Sequence, residues 1–164
     1  MNRLQEIGNI CGVDLSDLEN IFPVPVGEIC ERIGLNVEFC NLPNGQAGKL
    51  VGDTIQVNDN YAGTRNLFTI AHEIGHYIIN KNKNQPNDNN RFDDKKQYSK
   101  EELAEERRAN EFAAELLMPT EIFTDKFLKF KKGDFKYTKL SQFFKVSKEA
   151  CLYRALNLGL SDNV

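Results

Sequence analysis

The stretch that decides the fold of this chain runs from Thr64 to Asn80 and reads TRNLFTIAHEIGHYIIN. Its apolar residues recur every three or four positions, which is the period of an amphipathic α-helix. The two histidines of the 164-residue chain lie here, four positions apart, at His72 and His76. Because positions i and i+4 share one face of a helix, both imidazoles can reach a single metal ion. Glu73 lies about 100° around the helix from His72, where it can accept a proton from a water molecule that the ion activates.

The alternative interpretation is two ordinary histidines on a half-buried helix face, with Glu73 in solvent. The metal site is favoured because the motif lies inside a strongly amphipathic helix, as this chemistry requires. A catalytic metal site also needs a third protein ligand. Since the chain has no further histidine, the candidates are carboxylates and cysteines.

The third ligand is predicted on a second long helix, which a capping box of Ser99 and Glu102 opens and Pro119 closes. Its inward face is predicted to carry Leu103, Glu106, Asn110, Ala113 and Leu117. Glu106 is therefore a carboxylate on an apolar face, where an unpaired charge is costly and a metal ion would compensate it. Asn110, one turn later, could hold a ligand by a hydrogen bond. The alternatives are an ion pair between Glu106 and a nearby arginine, or a cysteine as the third ligand.

The part of the chain before the metal helix predicts two short helices and three strands. The helices are expected at Arg3–Cys11 and Val26–Ile33, and the strands at Asn36–Cys40, Gly48–Val51 and Thr54–Asn58. Turn sequences separate the strands, so we expect a small antiparallel meander. The last strand, Thr54-Ile55-Gln56-Val57-Asn58, is a candidate edge strand that pairs with the backbone of a peptide substrate. A simple sheet strand is the alternative.

The remaining segments complete an α+β pattern. Residues 80–98 are polar and of low complexity, which predicts a solvated loop. Shorter helices are expected near 121–131, 138–145 and 148–157. The order of helix, strands and then helices predicts a single α+β fold.

The composition is that of a globular protein, with 40% hydrophobic and 27% charged residues. No stretch approaches the roughly 20 apolar residues of a membrane helix, and no secretory signal pattern is visible, so we expect a cytoplasmic protein with no membrane association. The four cysteines form no Cys-x-x-Cys pair, which is typical of reduced thiols in a cytosolic protein. Fibrous, disulfide-scaffold and transmembrane classes are thereby excluded.

Charge is divided unevenly along the chain, whose net charge is −3. Residues 125–154 hold nine bases and three acids, which suggests that this part meets an anionic surface, either nucleic acid or the acidic body of the protein. Residues 139–154 resemble a helix-turn-helix whose second helix is capped by Ser147. DNA binding by that helix is one interpretation. The favoured one is a helical pair packed on the body, or a docking surface for a protein substrate, with Phe143, Phe144 and Leu152 as buried anchors, because the chain as a whole is acidic.

Two blocks of this sequence resemble the ImmA/IrrE family of metallopeptidases. The first is RNLFTIAHEIGHY at residues 65–77 and the second is ERRANEFAAELLMP at residues 106–119, with weaker similarity from about residue 23 to 160. The resemblance implies one Zn²⁺ ion per chain, bound by His72, His76 and Glu106, with Glu73 as the general base. It thus implies a zinc metalloendopeptidase of the gluzincin-like HExxH type. A further group that stabilises the oxyanion is left open among Tyr77, Tyr98, Tyr137, Tyr153 and Arg65.

The resemblance also implies a fold, a substrate and a partner. The expected fold is α+β, with a small antiparallel sheet packed on a zincin-type metal-binding helix. Residues 1–124 would form the metallopeptidase core, and residues 125–164 a basic, helix-turn-helix-like subdomain packed on it. The expected function is cleavage of a helix-turn-helix transcriptional repressor, as an anti-repressor in a mobile element or a stress response. The alternative is a non-enzymatic regulator, or a toxin–antitoxin component, that binds a partner repressor or DNA.

Overall fold

The computed structural model describes residues 2–43, 45–61, 63–87, 98–130 and 135–160. These ranges contain seven α-helices and one three-stranded sheet, which confirms the predicted α+β class. The helices are α1 (Arg3–Cys11), α2 (Val26–Arg32), α3 (Thr64–Asn82), α4 (Lys100–Leu117), α5 (Thr120–Lys129), α6 (Phe135–Phe144) and α7 (Lys148–Asn157). The strands are β1 (Asn36–Cys40), β2 (Gly48–Val51) and β3 (Thr54–Asn58).

The sheet is mixed, with the strand order β1-β3-β2. β2 and β3 are antiparallel and form a tight hairpin through Gly52, whose φ of 56° is in the left-handed region. β1 is parallel to β3, with Asn36 opposite Thr54, so the predicted antiparallel meander is wrong for β1. The prediction that Thr54–Asn58 is an edge strand is also wrong, because β3 lies between the two others. β2 is the edge strand that reaches the metal helix.

A buried asparagine holds the loop that takes the chain past the end of β3, from β1 to β2. Asn58, at the end of β3, is 1% exposed, and its side-chain amide donates to the backbone oxygens of Leu42 and Gln46 at 3.1 and 2.7 Å. These bonds hold the connecting loop against the end of β3 and carry the chain to the far side of that strand. β2 therefore starts beside β3 rather than beside β1.

The two long helices begin and end near the predicted residues. The capping box at the start of α4 is present, since the Glu102 amide donates to Ser99 Oγ at 3.2 Å and the Ser99 amide donates to a Glu102 carboxylate oxygen at 2.7 Å. α4 ends at Leu117, before the proline at 119. The sequence predicts a loop at residues 80–98, but α3 continues to Asn82. Residues 88–97 of the predicted loop lie outside the described part of the chain.

One hydrophobic core runs from α1 to α7, and α3 passes through its centre. Phe144 at the end of α6 is fully buried as predicted, and Phe143 packs partly buried beside it. Leu152 is 43% exposed, so the prediction that it is a buried anchor is wrong. The reason is the helical phase of α7, which turns Cys151 and Ala155 inward instead. The boundary at residue 124 stays a prediction, and α5 spans it.

Among the helices that are described, we find none with both the length and the apolar character needed to cross a membrane.

Candidate metal centre

Helix α3 brings the two histidines of the motif together, and His72 lines an open cleft. His76 is 1% exposed, and its Nε2 lies 2.9 Å from Nε2 of His72. The rings are nearly perpendicular, with their centroids 4.5 Å apart. The i, i+4 spacing of the sequence therefore places both imidazole nitrogens at one point, as predicted.

Helix α4 adds the carboxylate of Glu106 to the same point. Glu106 Oε1 lies 3.2 Å from Nε2 of His76, and Oε2 lies 3.4 Å from Nε2 of His72. A donor atom from each of the three residues falls within 4.8 Å of the others. Two ligand atoms that each lie about 2.0–2.1 Å from a tetrahedral zinc ion are about 3.4 Å apart, so this arrangement fits a single ion. We call these three residues the metal cluster.

The alternatives for Glu106 and for the third ligand find less support in the structure. Arg107 and Arg108 are both exposed and lie on the solvent side of α4. Cys30 and Cys151 are buried elsewhere, and burial raises the pKa of each thiol to about 12, so neither is a thiolate. The group of candidate ligands found in the described ranges contains no cysteine.

A glycine in the motif allows the two helices to approach closely enough to share a metal. A Cβ atom at Gly75 would lie 3.2 Å from the Cα and the backbone oxygen of Ala109 and from Cδ1 of Phe112. The helices therefore pack with almost no space between α3 and α4 at this position. Ala109 lies less than one turn from Glu106, so the same contact sets how near the carboxylate comes to the histidines. Sequence reasoning missed this role, although the glycine inside an apolar helix was a visible signal.

Asn110 lies one turn beyond Glu106 but is exposed, so the prediction that it faces inward is wrong. Its Oδ1 is 3.0 Å from Nδ1 of His72. With Oδ1 as the acceptor, Nδ1 of His72 carries the proton and its Nε2 lone pair faces the metal cluster. The asparagine thus orients the imidazole as a ligand requires.

Glu73, the residue after His72 on α3, lies beside the start of β2. It is 6% exposed and lines the cleft together with His72. Gly48 of β2 lies against it, because a Cβ there would be 3.8 Å from Cγ of Glu73 and would overlap the methyl group of Thr69. Only a residue without a side chain lets the edge strand lie this close to α3.

The cleft has a volume of about 1220 Å³, and α7 forms one of its walls. Of the five residues left open as oxyanion groups, Tyr153 and Arg65 line it. The guanidinium of Arg65 lies 3.5 Å from the ring centroid of Tyr61. Tyr77 is 7% exposed in the core, and Tyr137 packs on the ring of Phe127. The place of α7 beside the metal helix is a feature that no local pattern in the sequence indicated.

A buried arginine fastens α7 to the end of α4. Arg154 is 8% exposed; its guanidinium donates to the backbone oxygen of Met118 at 3.0 Å, to Thr120 Oγ1 at 3.0 Å and to the carboxylate of Glu115. Burial raises the pKa of Glu115, but hydrogen bonds from the Thr120 amide and from Arg154 outweigh it, so that the pKa lies below its usual value. The pair is therefore charged at neutral pH. We call this group of contacts the Arg154 clamp.

Comparison with known proteins agrees with this geometry. Residues 30–156 match the family model Peptidase_M78, the IrrE N-terminal-like domain. No curated protein sequence matches the chain. A solved structure of a Mycobacterium tuberculosis transcriptional regulator is similar, with a TM-score of 0.57 and 18% identity over 93% of this chain and 44% of that one. The chain thus spans less than half of that regulator, and the likeness concerns the fold alone.

Proposed function

The chain belongs to the Peptidase_M78 (IrrE N-terminal-like) family, and from this premise we propose that it is a zinc-dependent metalloendopeptidase. The observation that carries the proposal is the metal cluster: His72, His76 and Glu106 place three donor atoms within 4.8 Å of one another. Two imidazoles and one carboxylate form the donor set of a hydrolytic zinc site, and the adjacent Glu73 is available as a general base. The site opens into a cleft large enough for a peptide segment.

Each residue of the site has a distinct task in this proposal. His72, His76 and Glu106 hold the ion, and Asn110 keeps His72 in the tautomer that can bind it. A bound zinc ion supplies positive charge that lowers the pKa of water and polarises a carbonyl group. Glu73 accepts the proton of the attacking water and delivers it to the departing amine. Its position beside the cluster, on the wall of the cleft, suits that transfer.

The strand that could hold an extended substrate is β2 rather than β3. The backbone of β3 is paired on both sides, whereas β2 is an edge strand. Ala47, just before β2, lines the cleft, and Gly48 lies against Glu73. A peptide that adds to this end of the edge would pass beside the general base.

As the substrate we propose a helix-turn-helix transcriptional repressor in the cytoplasm, whose cleavage relieves repression in a mobile element or a stress response. The family supports this, and so does a structural relative that is itself named a transcriptional regulator. The non-enzymatic alternative with DNA on α7 has less support, because Arg154 is buried in its clamp. The exposed positions Leu152, Tyr153 and Leu156 of that helix are apolar or aromatic.

The test is incubation of the zinc-loaded protein with any helix-turn-helix repressor that an adjacent reading frame encodes, with and without a chelator. We expect Glu73→Gln to retain one equivalent of zinc and to lose cleavage, because it removes the base and leaves the ligands. His72→Ala and Glu106→Ala should lose the metal. Glu101→Gln, an exposed acid in the first turn of α4, is the matched control and should keep both zinc and cleavage. Cleavage by Glu73→Gln at the wild-type rate would contradict the mechanism.

A further inference from the structure

Helix α7 forms the wall of the cleft that faces the metal cluster. Glu149, Tyr153 and Asn157, spaced four residues apart, line the cleft together with His72 and Glu73. The cleft volume of about 1220 Å³ exceeds the roughly 300–1,000 Å³ of a typical small-molecule pocket. The space between the two helices therefore suits several side chains of a polypeptide.

Three of the six exposed side chains of α7 are apolar or aromatic, and the other three are Lys148, Glu149 and Asn157. Leu152, Tyr153 and Leu156 are 43, 59 and 62% exposed, and Leu156 adjoins both of the others because it lies four residues from Leu152 and three from Tyr153. We call these three residues the α7 ridge. Exposed apolar side chains that cluster in this way mark a binding surface, whereas scattered ones do not. Tyr153 belongs to both the ridge and the cleft wall, so it joins the ridge to the cleft, whereas Leu152 and Leu156 lie outside the cleft lining.

The ridge is held at a constant distance from the metal cluster. The Arg154 clamp ties α7 to Glu115 and Met118 at the end of α4. α4 is also the helix that carries Glu106 and Asn110. Because the surface and the metal site are held on the same rigid elements, a substrate bound to the surface would present a bond at a fixed distance along its chain to the metal site.

We propose that the α7 ridge is the subsite that selects the substrate, by binding a segment with large apolar side chains a few residues from the scissile bond. This rests on the proposed peptidase function. The chemistry of the wall opposes nucleic acid as the occupant, because Glu149 faces the cleft and would repel phosphate. Tyrosine is enriched among the few residues that carry most of the binding free energy of an interface, whereas leucine is not, so we expect the largest share from Tyr153.

Binding without turnover gives the decisive measurement. The zinc-loaded Glu73→Gln variant of the 164-residue chain is used to select binders from a displayed library of random dodecapeptides. We expect the selected peptides to share a large apolar residue at one position. Adding Tyr153→Ala should weaken the affinity of a selected peptide by about tenfold or more. Adding Leu128→Ala, which removes an apolar side chain of α5 that is 72% exposed and lies outside the cleft lining, should leave the affinity unchanged.

Several results would overturn the assignment of the α7 ridge. They are the selection of no peptides, the absence of a shared apolar residue, or equal affinity after Tyr153→Ala. A wild-type dimer that Tyr153→Ala makes monomeric in analytical ultracentrifugation would assign the ridge to a second copy of the chain. Duplex DNA binding that Tyr153→Ala abolishes would assign it to nucleic acid. If the wild type cleaves none of the selected peptides while Tyr153→Ala still weakens their binding, the peptidase proposal fails and the ridge stands.

Discussion

Replacing Gly75 by alanine tests whether the close contact of α3 and α4 sets the geometry of the metal cluster. An added Cβ would lie 3.2 Å from three atoms of α4, two of them in the backbone of Ala109. Carbon atoms in ordinary contact are about 3.5–4.0 Å apart, so the helices must separate by a few tenths of an ångström. The backbone of Ala109 cannot rotate away as a flexible side chain can, and Glu106 moves with it.

The expected change in stability is small, whereas the expected change in metal affinity is large. Overpacking of this kind costs about 1–3 kcal/mol, and alanine in place of glycine inside a helix returns about 1 kcal/mol. The metal-free Gly75→Ala protein should therefore lose about 0–2 kcal/mol of unfolding free energy. Metal ligands must keep their distances to within about 0.2 Å. A shift of α4 that exceeds this tolerance should weaken zinc binding by about tenfold or more, as loss of a ligand's supporting contact does.

Gly27→Ala is the matched control for Gly75→Ala. Gly27 lies in helix α2, and a Cβ there would meet no atom within 4 Å. This variant should gain about 0.5–1 kcal/mol and bind zinc as the wild type does. Urea unfolding of the metal-free proteins and competition with a chromogenic chelator measure the two quantities. If Gly75→Ala is stabilised as much as Gly27→Ala and keeps the wild-type zinc affinity, the contact does not control the site.

Three further predictions concern groups around the cluster and the clamp. Asn110→Ala should lower zinc affinity by about 10–100-fold in chelator competition, because it releases the imidazole that it orients, and unchanged affinity would remove its role. Arg154→Met should weaken the dependence of the unfolding free energy on pH below neutrality. The pKa of Glu115 is lower in the folded than in the unfolded protein, so the ionised carboxylate stabilises the fold above the unfolded pKa of about 4.3. This stabilisation is lost as the pH falls through and below that value, and the variant has less of it to lose. Urea midpoints from pH 6 to 3 measure this, and parallel curves for the variant and the wild type would contradict it. Burial raises the pKa of the Cys30 and Cys151 thiols to about 12, so both should react with a thiol reagent at pH 8 only as fast as the protein opens. Labelling is followed by mass spectrometry, and complete labelling within seconds would contradict their burial.

The features that sequence predicted well are those that a few neighbouring residues determine. The i, i+4 spacing of His72 and His76 follows from helix geometry alone. The start of α4 follows from two residues three apart, Ser99 and Glu102. Glu106 was found because a carboxylate on an apolar stripe requires compensation, a rule that holds whatever the partner turns out to be.

The order of the strands could not be predicted in the same way. The bounds of all three strands agree with the sequence pattern, yet which edges meet depends on the path of the loop between β1 and β2. That path is held by the side chain of Asn58, which bonds to backbone oxygens 16 and 12 residues earlier. The periodic pattern of apolar residues in the sequence contains no information about such a contact. The error has a functional consequence, because it placed the candidate substrate edge on β3 instead of β2.

In the basic segment, residues 125–154, the number of charged residues overstates the positive charge at the surface. Residues 125–154 hold nine bases, yet Arg154 and Lys136 are 8 and 4% exposed. The ammonium of Lys136 lies 3.9 Å from the ring centroid of Phe127, and the guanidinium of Arg154 is paired with Glu115 in the Arg154 clamp. A charge that is paired inside the protein gives no basic surface for nucleic acid. The argument made for Glu106 applies equally to Arg154, a charge close to the inward-facing Cys151 and Ala155, and it predicts an acidic partner within the protein rather than a phosphate. That partner is Glu115 of α4, and because α4 also carries Glu106, the same ion pair holds α7 beside the metal cluster.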